Sequence, residues 1–224
     1  MPLLPDLSIV IPALNAAATL PATLAALSGT AGEVVVADGG SGDGTTGLAG
    51  ASGARVLVAP RGRGTQLAAG AAAARGAWLL FLHADTRLAP GWEAVAAAHM
   101  RTRPDAAGFF RFRLDSADPR ARRLERAVAW RCRALALPYG DQGLLIHRGL
   151  LARAGGIRPL PLMEDVDLVR RLGRARLVAL AADAVTSASK WERDGWYRRS
   201  ARNLCCLGLY LCGVPPRAIA RLYG

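Results

Sequence analysis

The sequence lacks the features that would place it in several special classes of protein. No apolar run reaches the roughly 18 residues of a membrane-spanning helix, and the longest, residues 204–214, contains two glycines. Four cysteines in 224 residues do not suggest a disulfide framework or a zinc site, so we expect reduced, apolar side chains. The first six residues lack the basic segment of a secretory signal, which favours a cytoplasmic location.

Lysine is nearly absent: the sequence contains 28 arginines and a single lysine, Lys190. The formal net charge is +12, and it lies in the second half of the chain: residues 1–100 carry −1 and residues 101–224 carry +13. A basic half favours an anionic partner, such as a nucleotide, a phosphorylated acceptor, a lipid headgroup or a nucleic acid. A solvated arginine-rich surface is the simple alternative.

Four short apolar segments in the first half predict buried β-strands. They cover residues 7–12, 33–37, 55–59 and 78–82, and helices are predicted over 15–27 and 65–74. This alternation predicts an α/β fold with a right-handed, mostly parallel sheet flanked by helices. Three of the strands run into loops of glycine with Asp, Arg, or His and Asp. The carboxyl ends of such strands are where open α/β sheets bind ligands.

The second half is less regular, and it predicts a small antiparallel portion and a helical C-terminal tail. Strands are predicted over 109–114, 144–146, 177–180 and 184–187, and helices over 90–100, 118–137, 163–172 and from 194 onward. No linker or internal repeat is visible, so we expect a single domain over residues 1–224. Its halves are a ligand-binding part, about 1–100, and a second part, about 101–224.

Asp85 directly follows the fourth apolar segment, at the predicted mouth of the sheet. Mg²⁺ and Mn²⁺ prefer oxygen ligands and complete their shells with substrate phosphates and water, so one carboxylate can be enough. Asp85 is therefore predicted to be a metal ligand. His83 is either a second ligand, more compatible with Mn²⁺, or a polar residue hydrogen-bonded within the strand end.

Two further pairs of charged residues follow predicted strands or loops. Arg61 and Arg63, separated by one glycine, suit a phosphate or a base edge, although two exposed loop arginines are the alternative. Glu164 and Asp165 open a predicted helix, where acidic residues are common because they stabilise the helix dipole.

Several motifs occur in an order that is typical of one enzyme family. The segments Ile9–Asn15, Val36–Thr45, Phe81–Thr86 and Met163–Asp165 together resemble family 2 glycosyltransferases of the GT-A fold. A closer resemblance is to the bacterial radical-SAM/selenodomain-associated transferase subgroup. It is carried by Arg61–Arg63, His83–Thr86, Tyr139–Gly143, Met163–Val166 and Thr186–Glu192. The resemblance runs from about residue 7 to residue 223.

The chain departs from the family pattern at four positions. Ala16, Gly39 and Ala68 stand where many relatives have Glu, Asp and Asn. His83 stands in place of the first acidic residue of the usual Asp-x-Asp metal motif.

The resemblance implies a GT-A, Rossmann-like fold and a metal-dependent, inverting glycosyltransferase. Its donor would be a nucleotide-diphosphate sugar, its cofactor Mn²⁺ or Mg²⁺ at Asp85, and its acceptor an unknown hydroxyl compound. Asp165 would be the general base, with Glu164 as the alternative. The residues expected to bind the nucleotide-sugar are Pro12, Ala13, Asn15, Asp38, Arg61, Arg63, Ala84, Asp85, Asp141, Gln142, Lys190 and Trp191.

Some of these residues have ordinary structural alternatives. Asp38 is expected to accept a hydrogen bond from the nucleotide base, but a loop aspartate also satisfies turn amides. Trp191 is either a contact of the sugar face or a packed aromatic residue. The basic helix 118–137 and the tail 196–210 are typical of helices on an anionic membrane, which allows a lipid-linked acceptor and peripheral membrane contact. Packing against the sheet is the ordinary alternative.

Two other functions compete with a glycosyltransferase. A nucleotidyltransferase on a similar sheet usually has a basic, glycine-rich loop after the first strand, but no Arg or Lys occurs here before Arg55. A nucleic-acid-binding module would use the basic half. Aromatic residues make up only 6% of the chain and no recognition motif is present, so we expect no nucleic-acid partner.

Overall fold

The computed structural model describes residues 4–223. Residues 1–3, which belong to the N-terminal segment that lacks a basic signal, are outside this range. The strands are β1 (Leu4–Ala13), β2 (Ala31–Asp38), β3 (Arg55–Val58), β4 (Trp78–Phe81), β5 (Thr86–Leu88), β6 (Ala107–Leu114), β7 (Leu144–His147) and β8 (Leu177–Thr186). The helices are α1 (Leu20–Ala25), α2 (Thr45–Ala51), α3 (Arg63–Ala73), α4 (Trp92–Thr102), α5 (Pro119–Leu135), α6 (Arg148–Arg153), α7 (Glu164–Leu172), α8 (Ser189–Asp194), α9 (Trp196–Leu211) and α10 (Pro216–Tyr223).

The strands form one mixed sheet in the order β3-β2-β1-β4-β7-β6-β8-β5. The first four strands in this order pair in parallel, as predicted for the first half of the chain. β7 pairs antiparallel with β4 and β6, and β5 pairs antiparallel with β8. β6 and β8 are parallel neighbours. The antiparallel portion therefore comes from strands after β4, where the sequence loses its regular alternation.

Strand β1 lies near the middle of the parallel part because its side chains are apolar on both faces. Ile9, Val10 and Ile11 are all 0% exposed. Ile9 and Ile11 belong to the core that includes Trp92 of α4, whereas Val10 belongs to the core on the other face, which includes Leu67 of α3. A strand covered on both faces has no polar side, which matches its nearly continuous apolar sequence.

Several predicted elements have different bounds in the structure. The helix predicted over 15–27 is only Leu20–Ala25, because Asn15 has a φ of 49° and the following amides bond to a neighbouring loop. The two strands predicted over 177–187 are one continuous strand, β8. Helix α2 and the three-residue strand β5 were not predicted, since neither is long or periodic enough to give a sequence signal.

The basic helix and the tail pack against the rest of the fold. Helix α5 buries Ala121, Val128 and Cys132, and α9 buries Trp196 and Cys206. One face of each helix is therefore buried within the fold, as the alternative to membrane binding predicts. Among residues 4–223, none of the helices combines the length and the apolar character that crossing a bilayer requires.

Candidate active site

The carboxyl ends of β1, β3 and β4 meet at one edge of the sheet and surround a cleft of about 420 Å³, which we call the donor cleft. Most residues predicted to bind the nucleotide-sugar line it. These are Pro12, Ala13, Asn15, Arg61, Arg63, Ala84, Asp85 and Lys190, and His83, the possible second metal ligand, lines it too. The parallel strand order brings the residues of the first half to one cavity, and Lys190, 178 positions after Pro12, joins them from the helix that follows β8.

Hydrogen bonds join the loop after β1 to the loop after β2 at one side of the donor cleft. Ser41 Oγ accepts from the Asn15 amide at 2.8 Å, and Asn15 Oδ1 accepts from the Gly42 amide at 3.0 Å. Thr45 Oγ1 accepts from the Ala16 amide at 2.8 Å. The side-chain oxygen of Asn15 is therefore used to hold the glycine-rich loop against the end of β1.

Gln66 is a residue of the cleft that the sequence did not reveal. Its side chain is 4% exposed, and Nε2 donates to the Ala13 carbonyl at 2.6 Å and to the Ala37 carbonyl at 2.8 Å. It thereby ties together the ends of β1 and β2. A Cβ added to Gly39 would lie 3.1 Å from Gln66 Cδ, so the glycine that replaces the usual aspartate here leaves room for this side chain.

Asp38 is engaged by its own loop. The residue is 1% exposed, and its carboxylate accepts hydrogen bonds from the Gly40 amide, the Ser41 amide and the Ser41 hydroxyl. Asp38 is not among the residues that line the donor cleft. These contacts support the turn-forming alternative, and a bond from Asp38 to a nucleotide base stays a prediction.

The end of β4 carries His83 and Asp85 into the donor cleft. Asp85 Oδ2 accepts a hydrogen bond from Lys190 Nζ at 2.8 Å, and the Asp85 carbonyl accepts one from the Ser187 amide at 3.0 Å. Burial acts to raise the pKa of Asp85, but Lys190 and His83 outweigh it and hold that pKa below its ordinary value. Burial, helped by Arg63, lowers the pKa of His83 to about 4, so its imidazole is neutral at pH 7.

A second cavity of about 130 Å³, which we call the reaction pocket, adjoins these residues. Asp165, at the start of α7, lines it, and its Oδ2 accepts from the Gly140 amide at 2.8 Å. Glu164 is 1% exposed and forms an ion pair with Arg63. Burial raises the pKa of Glu164. The two neighbouring acids therefore differ in role: Glu164 positions an arginine, and Asp165 faces the pocket.

Asp141 also lines the reaction pocket and has an unusual environment. Its Oδ1 is buried and has no hydrogen-bond partner among the described residues. Burial, together with the charges of Asp165 and Asp85, raises the pKa of Asp141 to about 6, against the opposing effect of Arg131. An unpartnered buried carboxylate oxygen is costly, which suits a group that receives a hydrogen bond from a ligand.

Four residues line both the donor cleft and the reaction pocket: Arg63, His83, Asp85 and Lys190. They carry two cationic groups, one carboxylate and one neutral imidazole at the place where the cavities meet. Such a junction can hold the phosphates of a ligand that lies in the donor cleft, while another part of the same ligand reaches Asp165.

The structure does not bring Gln142 to these cavities. Gln142 is 2% exposed, its Nε2 donates to the Phe110 carbonyl at 3.0 Å, and its Oε1 accepts from the Tyr139 amide at 3.2 Å. It supports the turn that carries Asp141, and the prediction that it contacts a sugar is not supported. Some residues of the reaction pocket have no site role predicted from the sequence. These are Tyr139, Leu162, Met163, Val166, Thr186, Arg199 and Asn203.

Trp191 is a packed aromatic residue, as one of its two predicted alternatives states, and its contact with a sugar stays a prediction. It lines the reaction pocket, yet it is only 8% exposed, and it packs near Phe112 with the Arg199 guanidinium 5.2 Å from its ring centroid. A contact with a sugar would therefore involve only a small part of the ring.

The donor set at the end of β4 fits a divalent cation that is shared with a ligand. Within residues 4–223, no three His, Cys, Asp or Glu side chains gather closely enough to hold a metal ion by themselves. Asp85 offers a carboxylate and His83 a neutral imidazole, which together leave several positions of an octahedral shell for phosphate oxygens and water. Lys190 bonds to one of the two carboxylate oxygens and competes with a cation for that atom.

Comparison with solved structures identifies the fold. The chain resembles glucosyl-3-phosphoglycerate synthase from Mycobacterium tuberculosis in complex with Mn²⁺, UDP and glucosyl-3-phosphoglycerate, with 24% identity over 93% of this chain and 80% of that chain and a TM-score of 0.58. The same enzyme with Mn²⁺, UDP-glucose and phosphoglyceric acid gives 25% identity over 77% of this chain and 68% of that chain, with a TM-score of 0.53.

Mannosyl-3-phosphoglycerate synthase from Rubrobacter xylanophilus gives 18% identity over 81% of this chain and 64% of that chain, with a TM-score of 0.53. These likenesses show the α/β fold of GT-A glycosyltransferases, as predicted. A comparison with curated proteins finds no match. The family model described as glycosyl transferase family 2 matches residues 8–157. The chain therefore belongs to glycosyl transferase family 2, which confirms the predicted enzyme class.

Proposed function

We propose that this protein is a metal-dependent, inverting glycosyltransferase that moves a sugar from a nucleotide-diphosphate sugar to a hydroxyl acceptor. The observation that carries the proposal is the junction of the two cavities at Arg63, His83, Asp85 and Lys190, with Asp165 in the lining of the reaction pocket. The nucleotide would occupy the donor cleft, its diphosphate the junction, and the sugar and the acceptor hydroxyl the reaction pocket.

In this arrangement Asp165 takes the proton of the acceptor hydroxyl, whose oxygen attacks the anomeric carbon. The bond from that carbon to the diphosphate breaks, and its electron pair leaves with the diphosphate. Attack from the side of Asp165, opposite to the leaving group at the junction, inverts the anomeric centre. Arg63, held by Glu164, and Lys190 stabilise the charge that develops on the leaving group.

Asp85, with His83 beside it, would hold the divalent cation. When bound, that cation supplies further positive charge to the leaving diphosphate. The two mycobacterial structures named above contain Mn²⁺ with UDP or UDP-glucose, which supports Mn²⁺ and a uridine nucleotide as the first pair to test. Asp141, with its unpartnered buried oxygen, is proposed to accept a hydrogen bond from a sugar hydroxyl.

The test is calorimetric titration of the protein with UDP in the presence of Mn²⁺, followed by a thermal-shift screen of nucleotide-sugars. Asp85→Ala should abolish the heat of binding. Asp165→Asn should bind UDP as the wild type does and lose transfer. Unchanged UDP binding by Asp85→Ala would remove the metal assignment, and full transfer by Asp165→Asn would remove that residue as the base.

The acceptor would be a hydroxyl compound, and a thermal-shift screen of candidate acceptors would identify its chemical class. The neighbour structures contain phosphoglyceric acid or its glucosyl product. Small phosphorylated hydroxy acids are therefore the first acceptors to offer.

A lipid-linked acceptor with peripheral membrane contact is the second candidate, and helix α9 supports it. Tyr197, Leu204 and Leu211 lie seven residues apart on one stripe of α9 and are 69%, 62% and 46% exposed. An exposed apolar stripe beside arginines is typical of a helix that lies in a membrane interface. Sedimentation with anionic vesicles should fall in Leu204→Ser/Leu211→Ser if this stripe binds lipid.

Within the family, we propose the radical-SAM/selenodomain-associated subgroup. The support is that its motif residues Arg63, His83, Asp85, Asp141 and Asp165 all reach the same junction or pocket. We also propose that the chain is a single domain, since one sheet includes strands from both halves.

A further inference from the structure

A second large cavity lies between α5 and the sheet, away from the donor cleft. It measures about 610 Å³, within the usual size of small-molecule sites. Its floor is apolar and consists of Phe109 and Phe112 from β6, Leu177 and Ala179 from β8, and Val128 from α5. We call it the α5 groove. None of its residues lines the donor cleft or the reaction pocket.

The walls of the α5 groove are rich in arginine. Arg122, Arg126 and Arg133 follow each other at spacings of four and seven residues, so they lie along one stripe of α5, with Ala129 between the last two. From Arg122 to Arg133 this stripe is about 16 Å long, at roughly 1.5 Å per helical residue. Arg111, Arg113 and Arg174 line other parts of the groove.

Carboxylates do not balance these charges. Glu125 and Asp183 pair with Arg111, Arg113 and Arg122, so two acidic side chains face six arginines. The guanidinium groups of Arg126 and Arg133 have no hydrogen-bond or ion-pair partner among the described residues. Both residues are exposed and stand at the rim above the apolar floor.

We infer that the α5 groove binds an anionic amphiphile, a single apolar chain with a phosphate or carboxylate head. The chain would lie on the floor, and the head would bond to Arg126 and Arg133. A free anion would leave the apolar floor unused. The more exposed part of the floor is aliphatic, at Leu177 and Ala179, and suits an alkyl chain. A base of a nucleic acid would find no aromatic stacking surface there, because Phe109 and Phe112 are only 7% and 6% exposed. The flat surface of a bilayer cannot enter a groove between a helix and a sheet.

The probe is decyl phosphate below its critical micelle concentration, titrated calorimetrically into the full-length protein. We expect saturable binding to one site. Arg126→Glu and Arg133→Glu should each weaken binding about tenfold, and the pair should abolish it. Ala129→Trp, at an exposed helical position, should also weaken binding because the indole fills the groove. Arg123→Glu makes the same charge change on α5 outside the groove and should alter the affinity less than about twofold.

Inorganic phosphate and decanol are the matched ligands, and neither should bind comparably. Equal affinity for inorganic phosphate, equal affinity for decanol, or full binding by Arg126→Glu/Arg133→Glu would each overturn the inference. So would association with anionic vesicles alone, without saturation by the monomeric amphiphile. UDP binding with Mn²⁺ serves as the folding control for every variant, so failure of this inference leaves the proposed function untouched.

Discussion

Lys190 Nζ lies 2.8 Å from Asp85 Oδ2, which places the single lysine of the sequence on the carboxylate proposed to hold the metal ion. The lysine side chain is 50% exposed and that of Asp85 is 14% exposed. An ion pair with one solvated partner contributes little to stability, about 1 kcal/mol or less. We therefore propose that the pair matters for binding: Lys190 would leave Asp85 for a diphosphate when a cation takes its place.

Lys190→Met should separate these two roles of the lysine. Without the competing ammonium group, Mn²⁺ should bind Asp85 severalfold more tightly when no nucleotide is present. UDP in the presence of Mn²⁺ should bind about tenfold more weakly, because a charge-assisted contact contributes roughly 1.5–3 kcal/mol. Calorimetry and Mn²⁺ paramagnetic resonance measure both. Lys190→Arg keeps the charge and is the control; equal Mn²⁺ affinity in Lys190→Met and wild type would contradict competition.

The first half of the fold could be predicted because its signals are local. Each parallel strand is a short apolar run, and each functional loop directly follows one, so Arg63 and Asp85 could be assigned to one edge of the sheet. The pairing of Lys190 with Asp85 could not be predicted, because it joins residues 105 positions apart. It depends on the short pairing of β5 with β8, which has no sequence signal of its own.

Neighbouring residues in the second half show why the rest could not be predicted. Asp141 and Gln142 are adjacent in a glycine-flanked loop, and both are predicted from the sequence to bind a sugar. In the structure they belong to one 3₁₀ turn, on which Asp141 lines the reaction pocket and Gln142 bonds to the Phe110 carbonyl beneath it. The Gln142 side chain is directed inward by its contacts with Phe110 of β6 and Cys132 of α5, which sequence position does not reveal.

The raised pKa of Asp141 predicts a pH-dependent stability. Above pH 6 the Asp141 carboxylate is ionised in both states, but its charge is buried only in the folded state. Below about pH 4 the carboxyl group is largely protonated in both states, so this cost to stability disappears. Asp141→Asn should therefore stabilise the protein at pH 7–8, by at most about 3 kcal/mol, and have little effect near pH 4. Thermal denaturation across this pH range measures the difference. Asp105→Asn, at a side chain that is 75% exposed, is the control; a pH-independent change in Asp141→Asn would contradict the assignment.

Gly140 is predicted to be required because His83 packs directly against it. A Cβ at this position would lie 2.6 Å from His83 Nε2 and 3.3 Å from Asp165 Oδ2. Gly140→Ala should displace the imidazole, reduce Mn²⁺ binding and lower transfer by more than about tenfold, with a stability loss of roughly 1–3 kcal/mol. Gly47→Ala, in α2 with open space around the new Cβ, should be neutral or slightly stabilising. Wild-type Mn²⁺ affinity in Gly140→Ala would show that His83 can move without consequence.

Glu164→Gln should distinguish the positioning of Arg63 from base catalysis. Glu164 is buried and forms an ion pair with Arg63, so the neutral amide removes the charge of this pair and holds the guanidinium less firmly. We expect weaker UDP binding, by about ten- to 150-fold, since a bond to a charged group contributes roughly 1.5–3 kcal/mol. Asp165→Asn should do the opposite, with wild-type UDP affinity and no transfer. Calorimetry with UDP and a transfer assay at saturating donor measure the two effects. If Glu164→Gln bound UDP normally and lost transfer, Glu164 would replace Asp165 as the base, because its carboxylate would then be needed only in the chemical step.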